Sequence, residues 1–294
     1  MKTLESLKRK LESAEDLQSV VKTMKALAAV SIRQYEEAVT SLEEYSNTIE
    51  MGFHILIKNQ EGTMPHLRTE SESNFGAIVF GSEQGMCGQF NEQIASFALK
   101  KISKLQENPE RRRVLTLGPR VIPLLEDGGL TIQENFSFPG SVDEITWSVQ
   151  ELLLRIEKWR FENEIERVTV FYNKKKSGSS YKPFMWSILP FDQDWLNQLE
   201  KKEWPTNQLP FFTMKWDSLL AHLIRHYFFL HLFRAIAESL ASENASRLAA
   251  MQAAEKNIEE KLADIKTQYN QQRQSAITGE LLDIVSGFEA LKNQ

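Results

Sequence analysis

Apolar residues recur through the first fifty positions at Leu4, Leu7, Leu11, Ala14, Leu17, Val21, Met24, Ala28, Ile32, Tyr35, Val39, Leu42, Tyr45 and Ile49. Their mean step is about 3.5 residues, the heptad spacing of a left-handed coiled coil. Residues 1–51 contain neither proline nor glycine, so the pattern predicts one long helix, bounded at 1–57, that needs a long helical partner. The end of the chain offers one. Leu220, Leu223, Tyr227, Leu230, Phe233, Ile236 and Leu240 continue into Leu248, Met251, Ile258, Leu262, Ile265 and Tyr269, and residues 211–278 again lack both breakers. A helix over roughly 214–291, within a segment bounded at 211–292, would run on the order of 115 Å and is expected to extend past any middle domain.

All nine prolines lie between Pro65 and Pro210, and there the pattern changes. Short β-rich runs, FGAIVF (75–80), RVLTLG (113–118) and LTIQENFSF (130–138), are followed by helical stretches at about 90–105, at VIPLLED and at VDEITWSVQELLLRIEKWRFEN. That alternation predicts an α/β layer with a largely parallel sheet over 74–192. RVTVFYNKK and KPFMWSILPF, joined across KKSGSSY, read as a closing hairpin. Lys174, Lys175 and Lys176 then read as a solvated hairpin tip, with an anion or membrane patch as the alternative. Trp186, Trp195, Trp204 and Trp216 gather where the chain returns to the last helix and read as junction packing.

A formal charge of −5 gives no footprint for nucleic acid. The single cysteine, Cys87, excludes an intrachain disulfide and fits a reducing compartment. No apolar run approaches the ~20 residues needed to cross a bilayer, and the N-terminus lacks the apolar core of a signal peptide.

Gly81, Gly85 and Gly88 follow the first strand, where glycine-rich turns often cradle a phosphate. A Walker loop, however, needs a Gly-Lys pair, and this chain has none. The dinucleotide fingerprint GxGxxG is also absent, since here three residues separate the first two glycines. The turn therefore reads as one in which Gly85 and Gly88 let the backbone pass close to another element, with Cys87 as a small packed residue. His222 and His226 share a helix face near His231, but without a third local ligand they read as surface or seam residues. Glu36, Glu37, Glu43 and Glu44 read as solvated helix faces. No catalytic, cofactor-binding or metal-binding residue is assigned.

Three stretches together resemble the γ subunit of F-type ATP synthases: LKRKLESAEDLQSVVKTMKALAAVSIRQ (7–34), GSEQGMCGQFNEQI (81–94), and LFRAIAESLASENASRLAAMQAAEKNIEEKL (232–262) with YNQQRQSAITGELLDIVSGFEAL (269–291). The second is similar to the family's S-D-R-G-L-C-G-x-x-N signature, departing from it at Glu83, Gln84 and Met86. Those departures, and the aromatic segment PFFTMKWDSLLAHLIRHYFFLHLF, suggest a divergent branch.

The resemblance implies a long antiparallel two-helix coiled coil plus a central Rossmann-like α/β domain. It implies a non-catalytic rotor shaft that couples ion flow to ATP synthesis or hydrolysis and binds no cofactor itself. The implied partners are three α and three β subunits, an ε subunit and a ring of c subunits. The implied location is the cytoplasmic face of a bacterial or archaeal membrane, as a peripheral part of the F1 sector. Arg273 and Gln274 correspond to the family's Arg-Gln pair that meets loops of β. Lys8, Arg9, Lys10, Lys22 and Lys25 are expected in a basic band toward an acidic lever of β, with a solvated charged face as the alternative, and Met24 and Lys25 near that lever contact. LLDIVSGFEAL (281–291) fits an apolar tip turning in a collar. The other classes left open are a nucleotide-binding α/β protein with helical arms and a coiled-coil scaffold.

Overall fold

A computed structural model describes residues 3–58, 73–176, 180–191, 193–202, 204 and 211–292. In chain order the helices and strands are α1 (Leu4–Ser41), α2 (Glu43–Lys58), β1 (Asn74–Phe80), α3 (Phe90–Leu105), β2 (Arg112–Leu117), α4 (Ile122–Asp127), β3 (Glu134–Phe136), α5 (Val142–Glu162), β4 (Ile165–Lys175), β5 (Tyr181–Leu189), α6 (Gln193–Lys201) and α7 (Trp216–Lys292). They divide into two compact units, Ala29–Arg247 and the pair Met1–Ala28 with Leu248–Gln294, so that α1 and α7 each contribute to both.

The larger unit is built on a sheet of order β3-β2-β1-β4-β5. β1 pairs in parallel with β2 and β4, β3 adds in parallel to β2, and β5 returns antiparallel to β4. Neighbours on both sides and helices on both faces let β1 be a continuous apolar run rather than an alternating one. Successive side chains leave a strand in opposite directions. Phe75, Ala77 and Val79 accordingly join Ile94, Ala98 and Ile102 of α3. Ile78 and Phe80 join Ile145, Val149, Leu152 and Ile156 of α5 in a second core. That core also takes in Phe53 and Leu56 of α2 and Tyr227, Leu232 and Ile236 of α7.

Four local expectations change. The run 130–138 forms strand only at Glu134–Phe136. The Gln133 side chain turns back to accept from the Val114 N–H, and its own N–H donates to Val114 O at 3.0 Å, leaving a short edge strand. The first helix is interrupted at Leu42, where the hydroxyls of Thr40 and Ser41 donate back to Glu36 O (3.0 Å) and Ala38 O (2.8 Å) and compete with the helical ladder. α6 was not foreseen; its apolar face is only Leu196 and Leu199 with Trp195, too short to show a period. Lys174 and Lys175 lie inside β4 rather than at a solvated tip: Lys174 Nζ sits 3.8 Å from Glu238, and Lys175 pairs with Glu36. Lys176 bonds by its backbone N–H to Ser180 O at 2.8 Å, and residues 177–179 lie outside the described residues.

In the smaller unit the two helices run antiparallel. Lys25 pairs with Glu255, Gln18 Nε2 donates to Glu259 Oε1 at 3.4 Å, and Lys266 Nζ lies 3.3 Å from Glu15, so partners step down α1 as they step up α7. Leu7, Val21, Met251 and Leu262 are buried in this unit. Leu17, expected at the seam, is 52% exposed, and its neighbour Gln18 makes the cross-helix contact instead. Continuing the pairing step for step from Glu15 brings Ile277 level with Leu4, the first residue of α1, and places the residues after it beyond that start. Ile277, Leu281, Leu282, Ile284 and Val285 are correspondingly exposed.

Candidate functional site

In an open α/β sheet, ligands bind at the carboxyl ends of the strands where the strand order reverses. Here that point is the end of β1, between β2 and β4, and the glycine-rich turn 81–89 occupies it. Asn91, in the first turn of α3, knits the turn together. Its Oδ1 accepts from the Ser82 N–H at 3.0 Å and its Nδ2 donates to Ser82 Oγ at 2.8 Å. Met86 (φ 59°) and Gly88 (φ 60°) both take the left-handed conformation that turns the loop.

The turn presents carbonyls, and α7 supplies donors. Ser246 Oγ donates to Cys87 O at 2.5 Å, and Arg247 Nη2 donates to Gln84 O at 3.3 Å and Gly85 O at 3.5 Å. Glu243 lies one helical turn back and pairs with Arg247 Nη2 at 2.5 Å, both side chains being buried. Burial pushes the Glu243 carboxyl above the ordinary carboxylate range, and Arg247 pulls it back. A phosphate needs converging N–H groups. A crevice filled by the chain's own guanidinium, with carbonyls pointing at it, is built to hold a helix.

Glycine at 85 does not serve close approach, as the spacing had implied. A Cβ there would meet nothing within 4 Å, because the turn touches α7 through carbonyl oxygens rather than through a bare Cα. The tight approach is at Gly118 (φ 82°), where a Cβ would stand 2.7 Å from the Ser82 backbone. Cys87 is buried beside Ser82 Oγ (3.6 Å), and desolvation raises its thiol above the ordinary value, disfavouring the thiolate. Glu83 also gains a role: its Oε2 accepts from the Phe138 N–H at 3.0 Å, tying the turn to the segment after β3.

The histidines of α7 find separate partners. His222 Nδ1 donates to Ser218 O at 2.6 Å, and His226 Nδ1 shares a 2.6 Å hydrogen bond with Tyr45 Oη. His231 stacks on Trp186 with ring centroids 5.0 Å apart and lies 4.2 Å from Tyr227. Trp195 packs on Phe53 and Tyr227, Trp204 on His54, and Trp216 donates from Nε1 to Leu56 O.

In the two-helix unit, Arg273 and Gln274 are exposed on α7, and step-for-step pairing brings Arg273 level with Lys8. Lys8, Arg9, Lys10 and Lys22 are exposed on α1, with Lys8 3.9 Å from Glu12 and Arg9 2.6 Å from Glu5. Such solvated pairs hold little energy and leave the charges available. Met24 is half-buried. Lys25 differs from the others, because its ammonium is committed to Glu255 across the seam. The Glu243–Arg247 pair escaped sequence reasoning, although acid and base four apart in a breaker-free helix was a visible signal.

A family model described as ATP synthase matches residues 3–291. The chain is 30% identical over 297 residues to the ATP synthase gamma chain of Pelagibacter ubique, covering 99% of this chain and all of that one. It is 29% identical over 290 residues to the ATP synthase gamma chain of Histophilus somni strain 129Pt, covering 97% and 98% of the two chains. Among solved structures, a chain of the Euglena gracilis mitochondrial ATP synthase rotor matches with a TM-score of 0.65 at 15% identity, over 93% of this chain and 98% of that one.

Proposed function

The chain belongs to the family of ATP synthase gamma chains, and from that premise we propose that it is the central shaft of a rotary ATP synthase, coupling ion flow to ATP synthesis or hydrolysis in partner subunits. It is a non-catalytic rotor subunit. The observation that carries the proposal is the antiparallel pairing of α1 with α7, with the apolar end of α7 running on past the start of α1.

A shaft must resist bending and must present different faces to like partners. Two supercoiled helices without proline or glycine in the seam supply the first property. Unequal length and composition supply the second. A turning shaft can bias a catalytic site only by the difference in interaction energy between the faces it offers. Arg273 and Gln274 on α7, with Met24 and the basic residues Lys8, Arg9, Lys10 and Lys22 on α1, are assigned to polar contact with β. Lys25 is assigned to fixing the register of the coil, since Glu255 holds its charge. The apolar tail around Leu281 and Ile284 is assigned to the collar. Gly85, Cys87 and Gly88 belong to the turn that Ser246 and Arg247 clasp, a joint between sheet and helix that needs no cofactor.

The partners are three α and three β subunits around one copy of this chain, an ε subunit and the c ring. The chain is a peripheral part of the membrane complex, on its cytoplasmic face. No helix among the described residues is long and apolar enough to cross a membrane, so attachment runs through the partners. Coexpression with the cognate α and β chains should give a complex with one copy of this chain and ATPase activity. Failure to form a one-copy complex would overturn the proposal.

A further inference from the structure

The helix α5 turns Ile145, Val149, Leu152 and Ile156 toward the sheet core. Its opposite face carries Trp147, Leu154 and Phe161, which are 73%, 59% and 82% exposed. The three are seven residues apart, so they form one row with a repeat of about 10.5 Å. Single exposed apolar residues are ordinary on a protein surface, but three large ones in register expose on the order of 400 Å², within the range of functional patches. The row fills one of the two apolar positions of a heptad, the other being taken by Gln150 and Glu157, so it offers a second helix a single apolar ridge.

The borders of the row say what kind of helix. Asp143, Glu151, Glu157 and Glu162 are exposed beside it. Two exposed basic residues lie near them, Lys158, 3.6 Å from Glu162, and Arg160, so the border stays acidic on balance. Arg155 is directed away to Glu134 at 2.7 Å. An acidic border repels an anionic lipid surface. It also disfavours a second copy, which would set carboxylates against carboxylates. Charge complementarity selects a partner whose apolar ridge is bordered by lysine or arginine.

We propose that this outward face of α5 is a docking surface for a basic amphipathic helix of another protein chain. The proposal does not depend on the rotor assignment. It is tested with the full-length chain and a labelled three-heptad peptide bearing leucine at the a and d positions and lysine at e and g, followed by fluorescence anisotropy. A second peptide carries glutamate at e and g. The lysine peptide should bind, and the double variant Trp147→Ser/Phe161→Ser, whose altered side chains face water, should weaken it at least about tenfold with unchanged circular dichroism. Reversal of Glu151 and Glu157 to lysine should transfer binding to the glutamate peptide. Equal affinity of parent and serine variant for the lysine peptide, or equal affinity of the parent for both peptides, overturns the proposal. So does self-association of the parent, in sedimentation, that the serine variant abolishes.

Discussion

Arg247 and Gln84 are 163 residues apart in the chain, yet the Arg247 guanidinium donates to the Gln84 carbonyl at 3.3 Å. The same nitrogen pairs with the buried Glu243, so one side chain both neutralises an acid and closes the crevice at the end of β1.

Removing that guanidinium therefore has a large cost. Arg247→Met leaves the Glu243 carboxylate buried without its counter-charge and is expected to lower stability by about 3–5 kcal/mol. Adding Glu243→Gln to that variant should recover most of the loss, because the unpaired charge disappears. Urea denaturation of the parent, both single variants and the double variant measures this. A loss below about 1 kcal/mol for Arg247→Met would show that the pair is not the seal of the crevice.

Two glycines of this region should respond oppositely to alanine. At Gly118 the new Cβ would meet the Ser82 backbone at 2.7 Å in a left-handed conformation, so Gly118→Ala should cost roughly 2 kcal/mol or more. At Gly85 the Cβ would enter open space, and Gly85→Ala should stay within about 0.5 kcal/mol of the parent. Melting temperatures compared side by side decide the matter, and equal losses would contradict the described turn.

His231 gives stability a pH dependence. Burial, with Arg234 and Lys174 nearby, depresses its imidazolium from 6.5 to about 4. The unfolded chain thus takes up a proton at a pH where the folded chain does not. The stabilising contribution is full above about pH 6.5 and is lost as pH falls toward 4, by roughly 3 kcal/mol at most. His231→Phe, which keeps a ring against Trp186, should flatten the stability curve between pH 4 and 6.5 relative to the parent. Parallel curves for the two proteins would show that His231 does not titrate in that window.

Much of the fold was legible because its signals are periodic. The heptads of α1 and α7 and the apolar run of β1 reflect elements whose surroundings repeat along their length. Leu17 and Gln18 show where periodicity stops being enough: a seam that shifts by one residue turns an apolar side chain outward and a polar one across to Glu259. Lys174 and Lys175 looked like a hairpin tip, since their partners Glu238 and Glu36 come from distant segments. The turn at 81–89 was legible in what it lacks, a Gly-Lys pair and a GxGxxG run. Its actual ligand, Arg247, could be placed there only once the sheet order brought α7 to the end of β1.

The assignment of Arg273 and Gln274 to coupling is tested in the assembled complex. Both are exposed on α7, and Arg273 lies level with Lys8, so the basic character of this level comes from two helices. Neither side chain stabilises the coil seam, and the double variant Arg273→Ala/Gln274→Ala should leave assembly and melting temperature unchanged. Loss of polar contacts that differ between rotational positions raises the barrier to rotation, and about 1.4 kcal/mol of lost transition-state stabilisation would lower turnover tenfold. ATP hydrolysis and torque of the one-copy complex are therefore expected to fall severalfold to tenfold. Lys25→Ala should act differently, loosening the pair with Glu255 and lowering thermal stability of the chain itself. If Arg273→Ala/Gln274→Ala leaves turnover and torque unchanged, the coupling contact lies elsewhere on the shaft.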